Sequence, residues 1–239
     1  MPSPKNPPTA VWMRDRSTRT RPVVTEDKIV RTAIAIADAE GLDALSMRRI
    51  ASEMGSGTTS LYRHVASKDE LIELMVDAIH GEEAAPPPSP DEDWRDELAG
   101  LARRSRVVLL RHPWLAQQAA RWPTLGPNVI ARADHELGVV SRMTNDPTLA
   151  SLVVTTLNTH VLGAVSAELA ELETQRSTGM TEGEWRGWVG AYVRQVVESG
   201  RYPHFNRRVL EAADPDFDAR FEFGLDCLLT GLEAALRGP

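Results

Sequence analysis

A chain of 239 residues, 42% of them apolar, is long enough for one large domain or two small ones and apolar enough to bury a core. No apolar run approaches the ~20 residues of a transmembrane helix, and a single cysteine, Cys227, excludes an internal disulfide and suits a reducing cytoplasm. The net charge of −7 argues against general attraction to nucleic acid, but it is unevenly spread: residues 1–70 hold 11 Lys/Arg and 9 Asp/Glu, and the rest holds 16 and 25, so a polyanion must meet the N-terminal part.

Residues 1–24 carry five prolines and no helical period, and Lys5, Arg14, Arg16, Arg19 and Arg21 face only Asp15. Such a stretch buries too little to order itself and reads as a disordered basic arm, with no secretory-signal apolar core. It is either a plain tail or an arm for the minor groove beside a DNA-binding helix. Thr25 caps a first helix, with Glu26 and Asp27 where the helix dipole favours acids and Ile29, Ala33, Ile36 and Ala37 on one face; Gly41 ends it. Ser46 caps a second helix, Met47–Met54, stopped by Gly55. A short polar helix over 58–64 follows, with only Leu61 and Val65 plainly apolar, and so it must lean on its neighbours. Two helices across a tight glycine turn, the second mostly polar, read as a helix-turn-helix. Ser67 and Glu70 then form a capping box for a helix striped by Leu71, Leu74, Met75, Ala78 and Ile79.

The strings AEGLDALSMRRIASEMG and LYRHVASKDEL make residues 25–79 resemble the DNA-binding end of the TetR (tetracycline-repressor) family of bacterial transcription regulators. By that family's pattern, Ser46, Arg48, Thr58, Thr59, Ser60, Tyr62, His64 and Lys68 face DNA, and Arg63 holds a position that often does. The resemblance implies phosphate contacts from Tyr62, His64 and Lys68 and base reading by Arg48 and residues 58–60. One departure stands out: Ser56-Gly57 replaces the family's apolar-then-hydroxyl pair, leaving the recognition helix without its cap and the turn soft.

Residues 81–93, with four prolines, acids and no period, read as a linker. Beyond it the pattern predicts five or six helices and no strand: Asp93–His112, a short piece around Trp114–Arg121 between Pro113 and Pro123, Pro127–Arg142, a long helix from Asp146-Pro147 to about Glu173, one from a Thr181–Glu184 capping box to Glu198, and a last one from Asp214-Pro215 to about Gly238. DEDWRDELAGLARRSRVVLLRHPWLA and FEFGLDCLLTGLEAAL resemble the tetracycline-repressor type of C-terminal domain, which implies a helical bundle that binds a small molecule and forms a homodimer through its long and last helices. Gly163, Ala164 and Ala167 give the first of these a small-residue strip; Phe221, Leu225, Leu228, Leu229 and Leu232 give the other an apolar face that suits its own core or a twofold mate.

Reactive chemistry has little footing. The six histidines show no metal-ligand pairing, and where the family's drug-bound metal would be held this chain has Ala84 and about Ala119, which speaks against a tetracycline–magnesium ligand. Cys227, in GLDCLLTGL, reads as a buried small hydrophobe. No nucleophile elbow, phosphate loop or dinucleotide glycine pattern occurs. A ligand pocket is expected around Trp114 and Trp122, which flank proline breaks, with Asn128, His160 and Glu168 as polar anchors; Trp94, Trp185 and Trp188 complete the C-terminal tryptophans.

The expected protein is all-α: a basic arm (1–24), a three-helix helix-turn-helix domain (25–80), a linker (81–93) and a ligand-binding, dimerising bundle (94–239). Its expected function is that of a cytoplasmic, homodimeric repressor, released from palindromic double-stranded operator DNA by a small-molecule inducer, with no cofactor, metal or membrane partner. An activator of the same fold, or an all-α enzyme of a small apolar substrate, are the alternatives.

Overall fold

The computed structural model describes residues 24–82, 93–119, 124–179 and 182–237, in which every regular element is helical. The predicted basic arm, Ala84, Thr181 and Trp122 lie outside the described residues, as do the side chains of Ala119, Trp185 and Trp188.

Four helices form the N-terminal group. Helix α1 (Glu26–Glu40) starts where Thr25 Oγ1 accepts the Lys28 N–H at 3.2 Å and ends at Gly41, whose φ of 81° suits a residue without a Cβ. Helix α2 (Met47–Glu53) is capped by Ser46 and closes in a Schellman motif: the N–H groups of Gly55 and Ser56 donate to the carbonyls of Ser52 (3.2 Å) and Ala51 (2.9 Å), with Gly55 at φ 61°. Helix α3 is shorter than the 58–64 predicted. It spans only Thr58–Leu61 and, as expected, its N-cap Gly57 offers no side-chain bond. The remainder, Tyr62–His64, is a turn held by His64 and Val65 N–H groups on the Leu61 carbonyl. Helix α4 (Lys68–Glu82) opens as the capping box predicts, with Ser67 Oγ accepting the Glu70 N–H at 3.0 Å, while Glu70 reaches back one residue further than expected, to the Ala66 N–H (3.1 Å). Ile29, Ala33, Ile50, Leu61, Val65, Leu71 and Met75 are all essentially inaccessible and share one core.

The C-terminal group holds one helix more than the upper expectation. Helix α5 (Trp94–Arg111) is capped by Asp93; α6 (Pro113–Ala119) uses Pro113 as its first residue rather than as a break; α7 spans Pro127–Ser141; α8 (Pro147–Thr178) runs five residues past the expected end; α9 spans Glu182–Glu198; α11 spans Phe217–Arg237. The unexpected element is α10 (Pro203–Glu211), which sits where no apolar stripe meets the core: none of its residues is buried, and Phe205 and Leu210 are exposed. Helix α8 is apolar and long enough to cross a membrane by length and composition, contrary to the sequence reading. Its stripe Ala150, Val153, Leu157, Val161 and Val165 is instead buried against α5, α7 and α11, as in a core helix.

Helices α5, α8 and α11 are also tied by arginines. Arg103 makes a two-pronged bond to Glu222 (2.8 and 2.6 Å), and Arg106 bonds Glu168 (2.9 Å) and Asp218 (2.6 Å) while lying over the Phe221 ring. Phe221 also stacks with the His160 ring at 5.5 Å, and the close approach of His160 to α11 needs Gly224: a Cβ there would stand 2.5 Å from His160 Cε1. Gly224→Ala is therefore expected to lower stability by about 1–3 kcal/mol through overpacking, despite alanine's better helix propensity; chemical denaturation curves with an unchanged slope check it.

Candidate nucleic-acid interface and effector cavity

The predicted DNA residues lie on α2 and its cap, α3, the turn after it and the first residue of α4. Ser46, Arg48, Thr59, Tyr62, Arg63 and Lys68 are exposed, and Thr58, Ser60 and His64 are half-buried. Arg48 and its neighbour Arg49 differ sharply. Arg49 is held by Glu40 (2.9 Å) and Glu53 (2.7 Å), whereas no hydrogen bond or ion pair ties Arg48 among the described residues, so its guanidinium is available. Ser46 Oγ is engaged as the α2 cap, accepting the Arg49 N–H at 3.1 Å, and keeps its hydroxyl proton for another acceptor. Lys68 Nζ donates to the Leu42 carbonyl at 3.1 Å, which fixes its position and leaves two further N–H donors.

Two carboxylates tie this group to the C-terminal helices. Asp38 of α1 accepts from Trp114 Nε1 at 2.8 Å and lies 2.8 Å from His112 Nδ1, at the α5–α6 corner. Asp77 of α4 is buried and supplies the cap that α7 lacks. Gly126, the α7 N-cap, has no side chain, and Asp77 Oδ1 accepts the N–H groups of Asn128 (2.8 Å) and Val129 (3.1 Å). Asn128 answers with its amide, donating to Asp77 Oδ2 (2.9 Å) and to the Asp77 carbonyl (3.1 Å). The fit is close: a Cβ at Gly81, one turn further along α4, would meet Asn128 Nδ2 at 2.8 Å.

Beside this junction lies a cavity of about 560 Å³, walled by α4, α5, α6, α7 and α8, with a smaller one of about 200 Å³ adjoining it. Both are lined by His80, Ser105, Val108 and Arg132. Arg132 is the hub of the wall: it donates to Glu136 (2.8 Å), Ser105 (2.8 Å) and Asn158 (3.2 Å), and its Nη1 lies 3.4 Å from His80 Nδ1. Asn158 closes the ring by donating to the second oxygen of Glu136 at 3.0 Å. Burial, reinforced by the Arg132 charge, pushes the His80 imidazole down from 6.5 to about 4.

The expected ligand residues are dispersed by the fold. Asn128 lines the smaller cavity, its amide already engaged by Asp77. Trp114 is buried in the N-terminal core with its N–H on Asp38, Glu168 is paired with Arg106, and His160 stands against Phe221; none of the three lines either cavity. Trp122 lies outside the described residues. Cys227 is exposed on α11, not buried as expected, because α11 turns Phe221, Leu225 and Leu229 inward and Cys227 falls on the opposite side. Sequence reasoning missed His80, Arg132, Glu136 and Asn158. The last three recur one helical turn apart or across facing helices, a signal visible only once α7 and α8 are known to pack together. Among the described residues no group of three His, Cys, Asp or Glu side chains is placed to hold a metal.

Residues 29–75 match the profile described as bacterial regulatory proteins, tetR family, and residues 86–236 match that of the tetracyclin repressor-like C-terminal domain. The chain belongs to the tetR family. The HTH-type transcriptional repressor DrrR1 of Streptomyces coeruleorubidus is 40% identical over 215 residues, 89% of this chain and 78% of that protein. Apo ActR of Streptomyces coelicolor superimposes with a TM-score of 0.76 at 30% identity, covering 91% of this chain and 98% of ActR, and ActR in complex with actinorhodin with 0.74 at 32%, covering 90% and 99%. The protein is thus a DNA-binding transcription regulator of a ligand-responsive family and not an enzyme.

The buried histidine makes stability pH-dependent. In the unfolded chain His80 protonates near 6.5 and in the folded one near 4, so between these values the unfolded state binds more protons and acid favours it. The stability present above pH 6.5 is lost as pH falls towards 4, by up to ~3 kcal/mol from this residue. Urea unfolding of wild type and His80→Gln at pH 7.5 and 4.5 should show the smaller acid loss in the variant.

Proposed function

We propose that the chain is a homodimeric repressor that holds a palindromic double-stranded operator through α2, α3 and the following turn, and releases it when a small molecule fills the cavity of about 560 Å³. In this reading residues 25–80 form the DNA-reading domain, 81–93 the linker and 94–239 the effector and dimer domain, at work in the cytoplasm. The observation that carries it is the continuity of α4: the helix that buries Leu71 and Met75 in the helix-turn-helix core also puts Val76 and His80 in the cavity wall. The cavity lies within the range of about 300–1,000 Å³ common for small-molecule sites and is predominantly apolar with a few polar groups. ActR, a relative at 32% identity, is seen in complex with actinorhodin.

A twofold dimer is supported by the outer surface of α8 and α11. With Phe221, Leu225 and Leu229 committed to the chain's own core, Leu152, Gly163 and Ala167 of α8 and Phe223 and Cys227 of α11 remain exposed, an apolar and small-residue face suited to a second copy. A dimer doubles the DNA face and fixes the spacing of its half-sites.

On the DNA side, unpaired Arg48 is the base reader and Lys68 a phosphate anchor. Arg48→Ala should cost about 1–3 kcal/mol at the operator and little on random DNA. Lys68→Ala should weaken both alike and lower the log–log salt slope by about 1. Fluorescence anisotropy across a salt series separates them; a uniform loss in both variants would remove Arg48 as the base reader.

Induction through α4 requires reciprocity. An inducer that weakens operator binding must itself bind the operator complex more weakly by the same factor, on the order of 5–150-fold. Calorimetric titration with and without operator measures it. Equal affinities would rule the mechanism out, since a ligand indifferent to the two states shifts neither.

A further inference from the structure

We propose that His80 is the polar sensor of the large cavity, its Nε2–H donating to a carbonyl-type acceptor on an uncharged, largely apolar effector. The proposal rests on the reading of the cavity as the effector site and adds the chemical class of what it takes.

The tautomer follows from the neighbour. Arg132 Nη1 stands 3.4 Å from His80 Nδ1, and a guanidinium has only donors to offer. Nδ1 must therefore present its lone pair, and the single imidazole proton sits on Nε2. With its pKa held near 4, the ring keeps that form at neutral pH. Among the described residues nothing accepts from Nε2, and the ring lines both cavities. A half-buried N–H donor without a partner is a site for an acceptor, because leaving it unpaired under a bound apolar ligand costs its desolvation.

Charge narrows the class further. Arg132 and Glu136 cancel at 2.8 Å, and the remaining acceptor and donor capacity of this pair is largely taken by Ser105 and Asn158. An ionic effector would shed its hydration against a wall whose described residues offer no net charge in return. The rest of the described wall is mainly aliphatic, with Val76, Val108 and Leu162 among its members, and its other polar side chains, Gln118, Thr124, Thr155 and Thr159, are uncharged. A flat or compact hydrocarbon body bearing a ketone or quinone-type oxygen satisfies both parts. Because His80 lies three residues beyond Asp77 on α4, the acceptor bonds the very helix that supports the DNA-binding group.

The test uses 9-fluorenone and fluorene, which share a ring skeleton and differ by one carbonyl, titrated into the full chain by calorimetry. Wild type should prefer fluorenone by about 10-fold, the worth of one hydrogen bond to a buried donor. His80→Phe should bring the ratio close to one with fluorene affinity retained, and His80→Gln, which keeps an N–H donor, should retain most of the preference. No preference in wild type, or a preference that survives in His80→Phe, overturns the proposal while leaving the cavity as the effector site. Failure of both probes to bind wild type overturns the effector reading of the cavity and this proposal with it.

Discussion

The Asp77 carboxylate is the constraint on which the arrangement of the two helix groups depends. Helix α7 begins Gly126-Pro127-Asn128 with no side-chain cap of its own, and its N–H groups at Asn128 and Val129 would be orphaned without Asp77 Oδ1. The reverse also holds: a buried aspartate on α4 would be a costly charge without the α7 N-terminus, where backbone donors and the helix dipole both favour an anion. Each helix end solves the other's problem. Gly81 lets Asn128 approach closely enough for the amide to bond both the Asp77 side chain and its carbonyl.

Given that junction, the rest of the wall follows. Placing α7 against α4 sets Arg132 beside His80, and α5 and α8 complete its partners through Ser105 and Asn158. The cavity is then bounded by polar groups that belong to five different helices, α4 to α8. A second tie, Asp38 with Trp114 and His112, holds α1 to the α5–α6 corner. The N-terminal helices are thus tied to the rest of the chain by polar contacts on α1 and α4, and Val108 and Leu115 pack into their core as well.

On the candidate DNA face, pairing within the protein decides which side chains stay available. The adjacent arginines differ because Glu40 and Glu53 are within reach of Arg49, whereas among the described residues no ion pair holds Arg48. The one-turn α3 carries no side-chain cap, in line with the Ser56-Gly57 departure, yet the Schellman closure of α2 fixes the turn before it through two backbone bonds.

Local chemistry was legible in the sequence: Thr25, Ser46 and Ser67 as caps, Gly41 and Gly55 as stops, Pro127 and Pro147 as helix starts, and the ordered string from Thr25 to Ile79 that marks the family. These depend on residues within one turn of each other, and the structure realises each of them. What the tertiary structure alone decided are the pairings across helices. Asn128 and Glu168 were recognisable as polar residues needing partners, but the partners, Asp77 and Arg106, lie 51 and 62 positions away, while His160 stacks on Phe221 and its Nε2 finds no hydrogen-bond partner among the described residues. Helix α10 was not expected, although Phe205 and Val209 recur one turn apart on it; it buries none of its residues, so this apolar side meets no core. Cys227 read as buried because its flanking leucines are apolar, and only the rotation of α11 about Phe221 and Leu225 shows it outside. The large cavity belongs wholly to this second class: a void is a property of how helices fail to fill the space between them, and no single segment encodes it.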